Sequence, residues 1–536
     1  MRFYYTLLFI LGIHSNIKAQ NVIYSKMESF SNWIHSPKFE VIGKIHGNLL
    51  VHLFDKNHYL KIYDNEMNQI KKITLGFIPK NINGIQFIGY TNFCNIIWEK
   101  TEGQSVIYEY AKINQNGELI GSVSNLDLID FNKLQAEKID LRNFIVTISE
   151  DKSKIALSIL GIKEDTVQIS SKIFNADFKI LEKNTVKLGN YNEDSDVFND
   201  FLITNSGDIV FSVSNKIRGL CVNYFQVFVK KIMSEKLYNI NLPIDTMQLL
   251  NTTITIDNKN EEYLFNGFNI DTTENNIKGL FIAKIPFKEF KEDENVKKFQ
   301  FIKNIPFIKI AKTFKNYSFL DFEVFMRKDG GCTIVAGKLN NFSNNYSDYR
   351  KVQFDRSYNT PANPGGEFER DRNRGYFNTL SSKEIKQLME NELNRLSNLR
   401  PIKFRSIGKI VIEPSDVILF NISKDGNLIN DTSFQIPTNL EIDKQKISFI
   451  RNYFINFFTI TVSNKSIDLI AFTKNLNQQS LMNEFKIFSH EGNVERKIIN
   501  VRNDYYFDLL TSKQTENNEL IIPFFHLNKI GFAKVF

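Results

Sequence analysis

Three histidines near the start of the chain have the spacing that most resembles a chemical site. His46, His52 and His58 recur every six residues, and three imidazoles are a common ligand set for zinc. Whole strand lengths and turns separate them, however, so their side chains are expected to diverge. We therefore predict ordinary strand and turn histidines here and no metal site.

An acidic cluster further along the chain raises the same question for calcium. Glu193, Asp194, Asp196 and Asp200 lie within eight residues of one another. Calcium loops combine such carboxylates with a glycine at a sharp turn and a distal glutamate, and that pattern is absent. The cluster is therefore predicted to be a solvated acidic loop, and no cofactor is expected.

Motifs for known reaction types are missing from the sequence. It contains no G-x-S-x-G elbow, H-E-x-x-H motif, P-loop or G-x-G-x-x-G loop. Glycines in the tight turns 115–117, 424–426 and 490–492 are explained by the positive φ that hairpins require. The sequence thus names no catalytic, binding or metal-ligating residue and favours a protein that is not an enzyme. Carboxylate pairs for glycosidic cleavage come together only on folding, so a hydrolase stays an alternative.

Charge and cysteine content narrow the class of protein. The 536 residues carry 67 basic and 60 acidic side chains, a net charge of +7. The charges are mixed along the chain without a basic stripe, so no nucleic-acid binding is expected. Cys94, Cys221 and Cys332 lie far apart and form no CxxC pair. We predict that they are small buried hydrophobes, and we expect a monomer.

The amino terminus has the pattern of an export signal. Arg2 precedes an apolar run from Phe3 to Ile13, which is too short to span a bilayer. Residues 1–19 are therefore predicted to be a signal peptide cleaved near Ala19, which places the protein outside the cell or in a periplasm-like envelope space. A buried first strand or a signal anchor is the alternative. No other apolar stretch is long enough for a transmembrane segment.

Short strand patterns repeat along the whole mature chain. Leu49–Phe54, Tyr59–Tyr63 and Gln69–Leu75 are three such runs joined by polar turns. The pattern predicts eight units, near residues 39–75, 84–124, 143–188, 197–241, 248–303, 318–436, 447–501 and 504–536.

Each predicted sheet has apolar residues on both faces and needs neighbours to cover them. We therefore predict an all-β fold, a β-propeller of seven to eight antiparallel blades with eight favoured, formed by residues 20–536 as a single domain. The last unit lacks an outer strand. Residues 21–25, directly after the predicted cleavage, can supply it and close the ring.

One segment departs from the repeat. Residues 341–405 are predicted to be an insertion within the sixth blade, partly loop-like and partly helical. Ser381–Glu384 reads as a capping box, apolar residues follow at helical spacing, and Pro401 ends the pattern, which predicts a helix over 381–399. Its apolar face would pack on the propeller rim or on a partner.

The sixth unit carries a family resemblance. Gly330–Gly337, followed after the insertion by Ser415–Gly426, resembles segments of uncharacterised secreted β-propeller-like repeat proteins. The resemblance implies the fold and transfers no catalytic residue. The chain has only Trp33 and Trp98 and lacks the Trp-Asp repeat of WD40 propellers.

These observations together favour an exported binding or scaffold protein that is not an enzyme. Loops on a rigid propeller would hold an envelope or extracellular protein, or a glycan. The alternative is a carbohydrate-active hydrolase with converging Asp, Glu or Arg side chains at the mouth of the central channel. A purely structural envelope component is a third reading.

Overall fold

The computed structural model describes most of residues 22–535. Its larger gaps are 30–37, 131–139, 190–195, 290–300, 307–318, 339–408 and 444–457, and shorter ones lie at other connections. The elements in the described part are β-strands and one short 3-10 helix, Phe287–Glu289. The predicted signal peptide 1–19, insertion 341–405 and helix 381–399 lie outside the described residues, so those assignments stay predictions.

The strands group into successive antiparallel units along the chain. The first four units contain β3 (Lys38–Ile45), β4 (Asn48–Asp55), β5 (Asn57–Tyr63) and β6 (Gln69–Thr74); β7 (Gly84–Gly89), β8 (Cys94–Glu102), β9 (Ser105–Ile113) and β10 (Ser124–Asp130); β11 (Asp140–Ile148), β12 (Lys154–Lys163), β13 (Thr166–Asn175) and β14 (Ile180–Leu188); and β15 (Asp196–Ile203), β16 (Ile209–Arg218), β17 (Cys221–Lys230) and β18 (Leu237–Asn241).

The later units continue along the chain. They contain β19 (Gln248–Asp257), β20 (Glu262–Asp271), β21 (Asn276–Pro286) and β22 (Phe301–Pro306); β23 (Phe319–Met326), β24 (Cys332–Lys338), β26 (Ser415–Ile422) and β27 (Leu428–Ile436); β29 (Phe458–Val462), β30 (Ser466–Lys474), β31 (Ser480–Phe488) and β32 (Val494–Asn500); and β33 (Tyr506–Phe507), β34 (Lys513–Gln514), β35 (Leu520–His526) and β36 (Lys529–Val535). β19 also pairs with β17, so the strands of the fourth and fifth units form one continuous sheet. In the last unit β33 and β34 both pair with β35, which pairs in turn with β36. A separate two-stranded ribbon pairs β25 (Lys409–Ile412) with β28 (Leu440–Asp443).

Both faces of each sheet are buried, as the short apolar runs predict. In β4, Leu50 packs in a core shared with the second unit, with Phe87 and Ile96. The next residue, Val51, packs in a core shared with the last unit, beside Phe532. This alternation follows from the two-residue period of a strand. In the described residues, cores of this kind join each of the first four units to the unit that follows it, the seventh unit to the last, and the last unit to the first.

Inner and outer strands differ sharply in exposure. The first strands of neighbouring units contact one another, for example β3 with β7 and β11 with β15, so they surround a common axis. The fourth strands face solvent, and β6 carries exposed Lys71 and Lys72. Charged side chains on such an edge hinder pairing with another chain. This radial arrangement of antiparallel sheets is a β-propeller, as predicted.

Residues from the amino terminus complete the last unit. β1 (Val22–Tyr24) pairs with β36 in the register Val22 to Val535 and Tyr24 to Ala533. β2 (Glu28–Ser29) continues along the same edge. The Ser25 N–H donates to the Phe532 carbonyl at 2.9 Å, and the Phe532 N–H donates to Ser25 Oγ at 2.9 Å. The prediction that residues 21–25 supply the missing outer strand is confirmed for Val22–Tyr24.

The position of the predicted insertion is visible from its flanks. β24 and β26 pair directly, with Lys338 opposite Asp416. Residues 339–414 therefore leave and rejoin the sixth unit at neighbouring strand ends.

Two of the three cysteines can be placed. Cys94 and Cys332 are fully buried free thiols, which confirms the prediction for them. Burial raises the pKa of Cys332 to about 12, so its thiol stays protonated and unreactive.

The Gly330–Gly331 pair of the sixth unit has a steric explanation. The two residues form the turn between β23 and β24, and Gly330 has a φ of 83°. A Cβ on Gly331 would lie 2.2 Å from Arg327 Nη2 and 2.4 Å from the Ile422 carbonyl oxygen. The backbone of β26 cannot move away without breaking its pairing, so only glycine fits.

We expect Gly331→Ala to lower the free energy of unfolding by about 3 kcal/mol, because the methyl group overlaps a backbone oxygen. Urea unfolding measures the loss. Gly76→Ala is the matched control, since a Cβ there meets nothing within 4 Å. Equal stability of the two variants would contradict the steric explanation.

An aromatic cluster holds the closing strand. The half-buried Tyr24 ring packs edge-on against Phe524, with centroids 5.4 Å apart, and against Tyr505 at 5.7 Å. The Arg502 guanidinium lies 5.2 Å from the Tyr24 ring. These contacts join the amino-terminal strand to the last unit.

Tyr24→Ala is expected to cost about 2 kcal/mol of stability through lost aromatic packing. It should also broaden the thermal unfolding transition, because strand β1 holds the circle of sheets closed. Calorimetry tests both effects. Tyr224→Ala, at a tyrosine that is 38% exposed, should leave the transition nearly unchanged, and similar losses in both variants would refute the closing role.

Candidate interaction face

Strand alternation sorts the connections of the propeller onto two opposite faces. Within each unit the first-to-second and third-to-fourth connections lie at one end of the sheet. The second-to-third connection and the passage to the next unit lie at the other end. We call the first end the turn face and the second end the loop face.

A recurring hairpin turn forms much of the turn face. Each copy begins with a polar side chain that accepts a hydrogen bond from the backbone N–H four residues later, at 2.8 to 3.0 Å. The fourth residue has a positive φ, as in a type I turn followed by a bulge. The copies begin at Asp64, Asn114, Asn175, Thr204 and Ser423, and their fourth residues are Met67, Gly117, Phe178, Gly207 and Gly426.

Two glycine turns are therefore explained as predicted. Gly117 has a φ of 76° and Gly426 a φ of 74°. Residues 490–492 lie outside the described part of the chain. Met67 and Phe178 occupy the same strained position without being glycine, and both side chains are buried. Apolar packing thus offsets the cost of a left-handed backbone at these two turns.

Buried lysines connect the turn face of one unit to the next. Lys534, 3% exposed, donates to the Asn65 carbonyl of the first unit. Lys284, 1% exposed, donates to the carbonyls of Gly330 and Lys424 in the sixth unit. Each ammonium also has a carboxylate partner, Glu519 or Glu262. The carboxylates belong to the same unit as the lysine, whereas the carbonyl acceptors are present only when adjacent units are docked.

Hydrogen bonds from backbone N–H groups to side-chain oxygens also link neighbouring units, at the turns between their first and second strands. The Asp151 N–H donates to Asn205 Oδ1 at 3.1 Å, and the Asn205 N–H donates to Asn258 Oδ1 at 2.8 Å. The three residues belong to equivalent turns of the third, fourth and fifth units. The turn face is consequently a tightly bonded surface.

The loop face has the longest connections of the chain. They include residues 339–414, within the sixth unit, and 437–457, between the sixth and seventh units. The β25–β28 ribbon continues the β26–β27 hairpin at this end of the sheet, with Ile412 opposite Leu440. Long loops on a rigid scaffold are the usual place for recognition.

The three histidines are not arranged as expected. His46 is exposed, in the turn after β3, with a φ of 48°. His52 and His58 are buried, and His52 Nε2 lies 3.0 Å from His58 Nδ1. The expectation that the side chains diverge is therefore wrong for this pair. β4 and β5 are joined by a tight turn, which puts positions 52 and 58 diagonally on one face of the hairpin.

The acidic cluster also differs from its prediction. Asp196 and Asp200 lie within β15, and Asp200 is only 1% exposed. A bulge at Asp200, where φ is 38°, turns its side chain toward the fifth unit. There its carboxylate accepts a hydrogen bond from the Ile254 N–H at 2.9 Å. The prediction of a solvated loop is thus wrong for Asp200, while Glu193 and Asp194 are not described.

Burial governs the ionisation of Asp200. Desolvation raises the pKa of its carboxyl well above the usual range, and the hydrogen bonds from Ile254 and Thr253 only partly oppose this. The group links the inner strands β15 and β19 through its hydrogen bond with the Ile254 N–H. No sequence signal marks it, since the bulge that buries it arises from pairing with β16.

Within the described residues, no group of three or more His, Cys, Asp or Glu side chains is arranged to hold a metal ion. The same part of the chain contains no helix that is long and apolar enough to cross a membrane. The propeller therefore has one face whose turns are hydrogen-bonded to one another and one face with long connections.

Comparison with known proteins yields structural neighbours alone. No protein-family model matches the sequence, and no curated protein matches it. The WD40 domain of SCAP from fission yeast aligns with a TM-score of 0.39 and 8% identity, over 96% of this chain and 98% of that one. Prolyl oligopeptidase B from Galerina marginata aligns at 0.36 and 8%, over 96% and 57%. The GH93 alpha-L-arabinofuranosidase of Fusarium graminearum aligns at 0.31 and 9%, over 75% and 93%.

Asp200→Asn tests the assignment of a neutral buried carboxyl. The native protein holds a proton there that the unfolded chain releases above about pH 4, so stability declines as pH rises toward the raised pKa. The asparagine keeps an acceptor for the Ile254 N–H and should abolish this decline. It should match or exceed the wild type in urea midpoint near neutral pH.

Asp151→Asn is the control, because the effect of Asp151 on stability has the opposite pH dependence. Burial acts to raise the pKa of Asp151, but hydrogen bonds from Ser149 and Ser153 outweigh it and lower the pKa. Its contribution to stability is therefore present near neutral pH and disappears as pH falls through the lowered pKa. If Asp200→Asn loses stability near neutral pH as Asp151→Asn does, Asp200 is ionised in the native protein.

Proposed function

We propose that the protein is an exported binding or scaffold protein, not an enzyme, that uses the loop face of an eight-bladed propeller to hold a partner. The observation that supports this is the contrast between the two faces. Bonds within and between units consume the polar groups of the turn face. The two longest connections, residues 339–414 and 437–457, both leave from the loop face, and long loops on a rigid scaffold are the usual place for recognition.

The partner we propose is another envelope or extracellular protein, or a glycan. Export follows from the predicted cleavage near Ala19. The main contact is assigned to residues 341–405, which fall in the sequence between the paired strands β24 and β26 of the sixth unit. An insertion anchored at neighbouring positions can vary in length with little effect on the sheet.

Replacing residues 341–405 by a short Gly-Ser linker should abolish partner capture and leave the fold intact. The paired positions Lys338 and Asp416 make the design feasible, because a hairpin-length loop can bridge neighbouring strands. Capture is measured by affinity purification from the native envelope or secretome. The far-ultraviolet β spectrum and the melting temperature report the fold.

Met233→Ser is the matched control on the turn face, where this side chain is 77% exposed. It should capture the partner like the wild type. Capture retained by the linker variant, or lost in Met233→Ser, would refute the assignment to the loop face. Release of sugars from oligosaccharides by the purified wild type would instead support the hydrolase alternative.

A further inference from the structure

A buried imidazole pair lies between the first and second units. His52 is fully buried and His58 is 4% exposed. The rings stack with centroids 5.2 Å apart and planes 15° apart. The His52 ring also packs on Phe87 of the second unit at 4.6 Å. The pair is therefore part of the seam that joins the two units.

Aromatic side chains surround the pair, and the buried Glu40 lies opposite His52 on the neighbouring strand. Phe54 packs on His58 at 4.7 Å, so aromatic rings cover the pair from β4 and β7. From β3, Glu40 is the register partner of His52. From β8, the buried Cys94 thiol lies within the electrostatic influence of Glu40, and its pKa is raised by burial first and by Glu40 second.

The hydrogen bond between the rings limits how many protons the pair can hold. One nitrogen of the 3.0 Å contact donates and the other accepts, so the accepting ring must be neutral at that atom. A proton added to His52 would reside on Nδ1, which has no hydrogen-bond partner. Protonation of both rings would place two N–H groups against each other and two cations side by side.

We propose that His52 and His58 form an acid-sensitive latch, and that protonation of the pair at acid pH loosens the seam between the first and second units before the other seams. Near neutral pH the rings are neutral and pack like the aromatic residues around them. On acidification the pair gains its charge only by leaving the seam for water. The latch is local because it depends on one contact between two particular units.

The direction of the pKa shift of His52 agrees with a seam that loosens at acid pH. Burial first, and the neighbouring His58 second, hold the pKa of His52 well below the usual range. The native state therefore binds fewer protons than the open state once pH falls below about 6.5. The closed-to-open equilibrium constant then falls about tenfold per pH unit for each histidine kept neutral.

Hydrogen exchange of the wild type between about pH 7.5 and pH 4.5, corrected for the intrinsic rate, tests the proposal. Protection of residues 49–63 and 84–98 should fall on acidification by up to about tenfold per pH unit for each histidine. Residues 155–174, in the third unit, should stay protected over the same range. Equal loss in all three segments, or none in the first two, would overturn the latch.

Variants assign the effect to the pair. The double variant His52→Leu with His58→Leu fills the same space without titrating, so the selective loss of protection should disappear. His46→Asn is the matched control, because it removes an exposed histidine and asparagine tolerates a positive φ; it should behave like the wild type. Selective acid loosening that persists in the double variant refutes the proposal.

A measurement on the wild type covers the case in which the double variant does not fold. Nuclear magnetic resonance of the histidine side chains reports each protonation state directly. His52 and His58 should stay neutral until the exchange data show the seam opening. Normal titration of both buried rings in a seam that stays protected would also refute the latch.

Discussion

The constraint on which this structure depends is that every sheet has two apolar faces. Leu50 and Val51 are adjacent in the chain yet lie in different cores, one shared with the second unit and one with the last. Burial of such residues is the main favourable term in folding. A sheet of this kind is stable only between two others, so the series must close on itself. The pairing of Val22 with Val535 meets that requirement.

Polar groups at the seams add specificity to this apolar closure. A buried ammonium such as that of Lys534 or Lys284 is costly unless its partners are in place, and the partners are supplied by the following unit. The same applies to Glu28 of β2, which bonds Lys61 of the first unit at 2.8 Å. A wrongly stacked unit would remove the carbonyl acceptors of Lys284 and Lys534 and separate Glu28 from Lys61, which penalises alternatives to the native order.

The two faces of the propeller divide stability and recognition between them. The turn face uses its polar side chains internally, as with Asn205 bonded between the third and fifth units. Substitution there disturbs the scaffold. The loop face has connections that can lengthen with little effect on the sheets, as the pairing of Lys338 with Asp416 across residues 339–415 shows. Acid sensitivity at the His52–His58 seam would act on the scaffold and not on the loops.

The amino-acid sequence by itself determined the all-β character of the chain, the glycine turns at Gly117 and Gly426 and the source of the closing strand. These follow from local patterns, namely the two-residue period of apolar side chains and the turn chemistry between strands. Only the tertiary structure decided that His52 meets His58 and that Asp200 is buried by a bulge. The reason is physical: diagonal contacts, bulges and seams depend on which strands become neighbours, and spacing along the chain does not encode that.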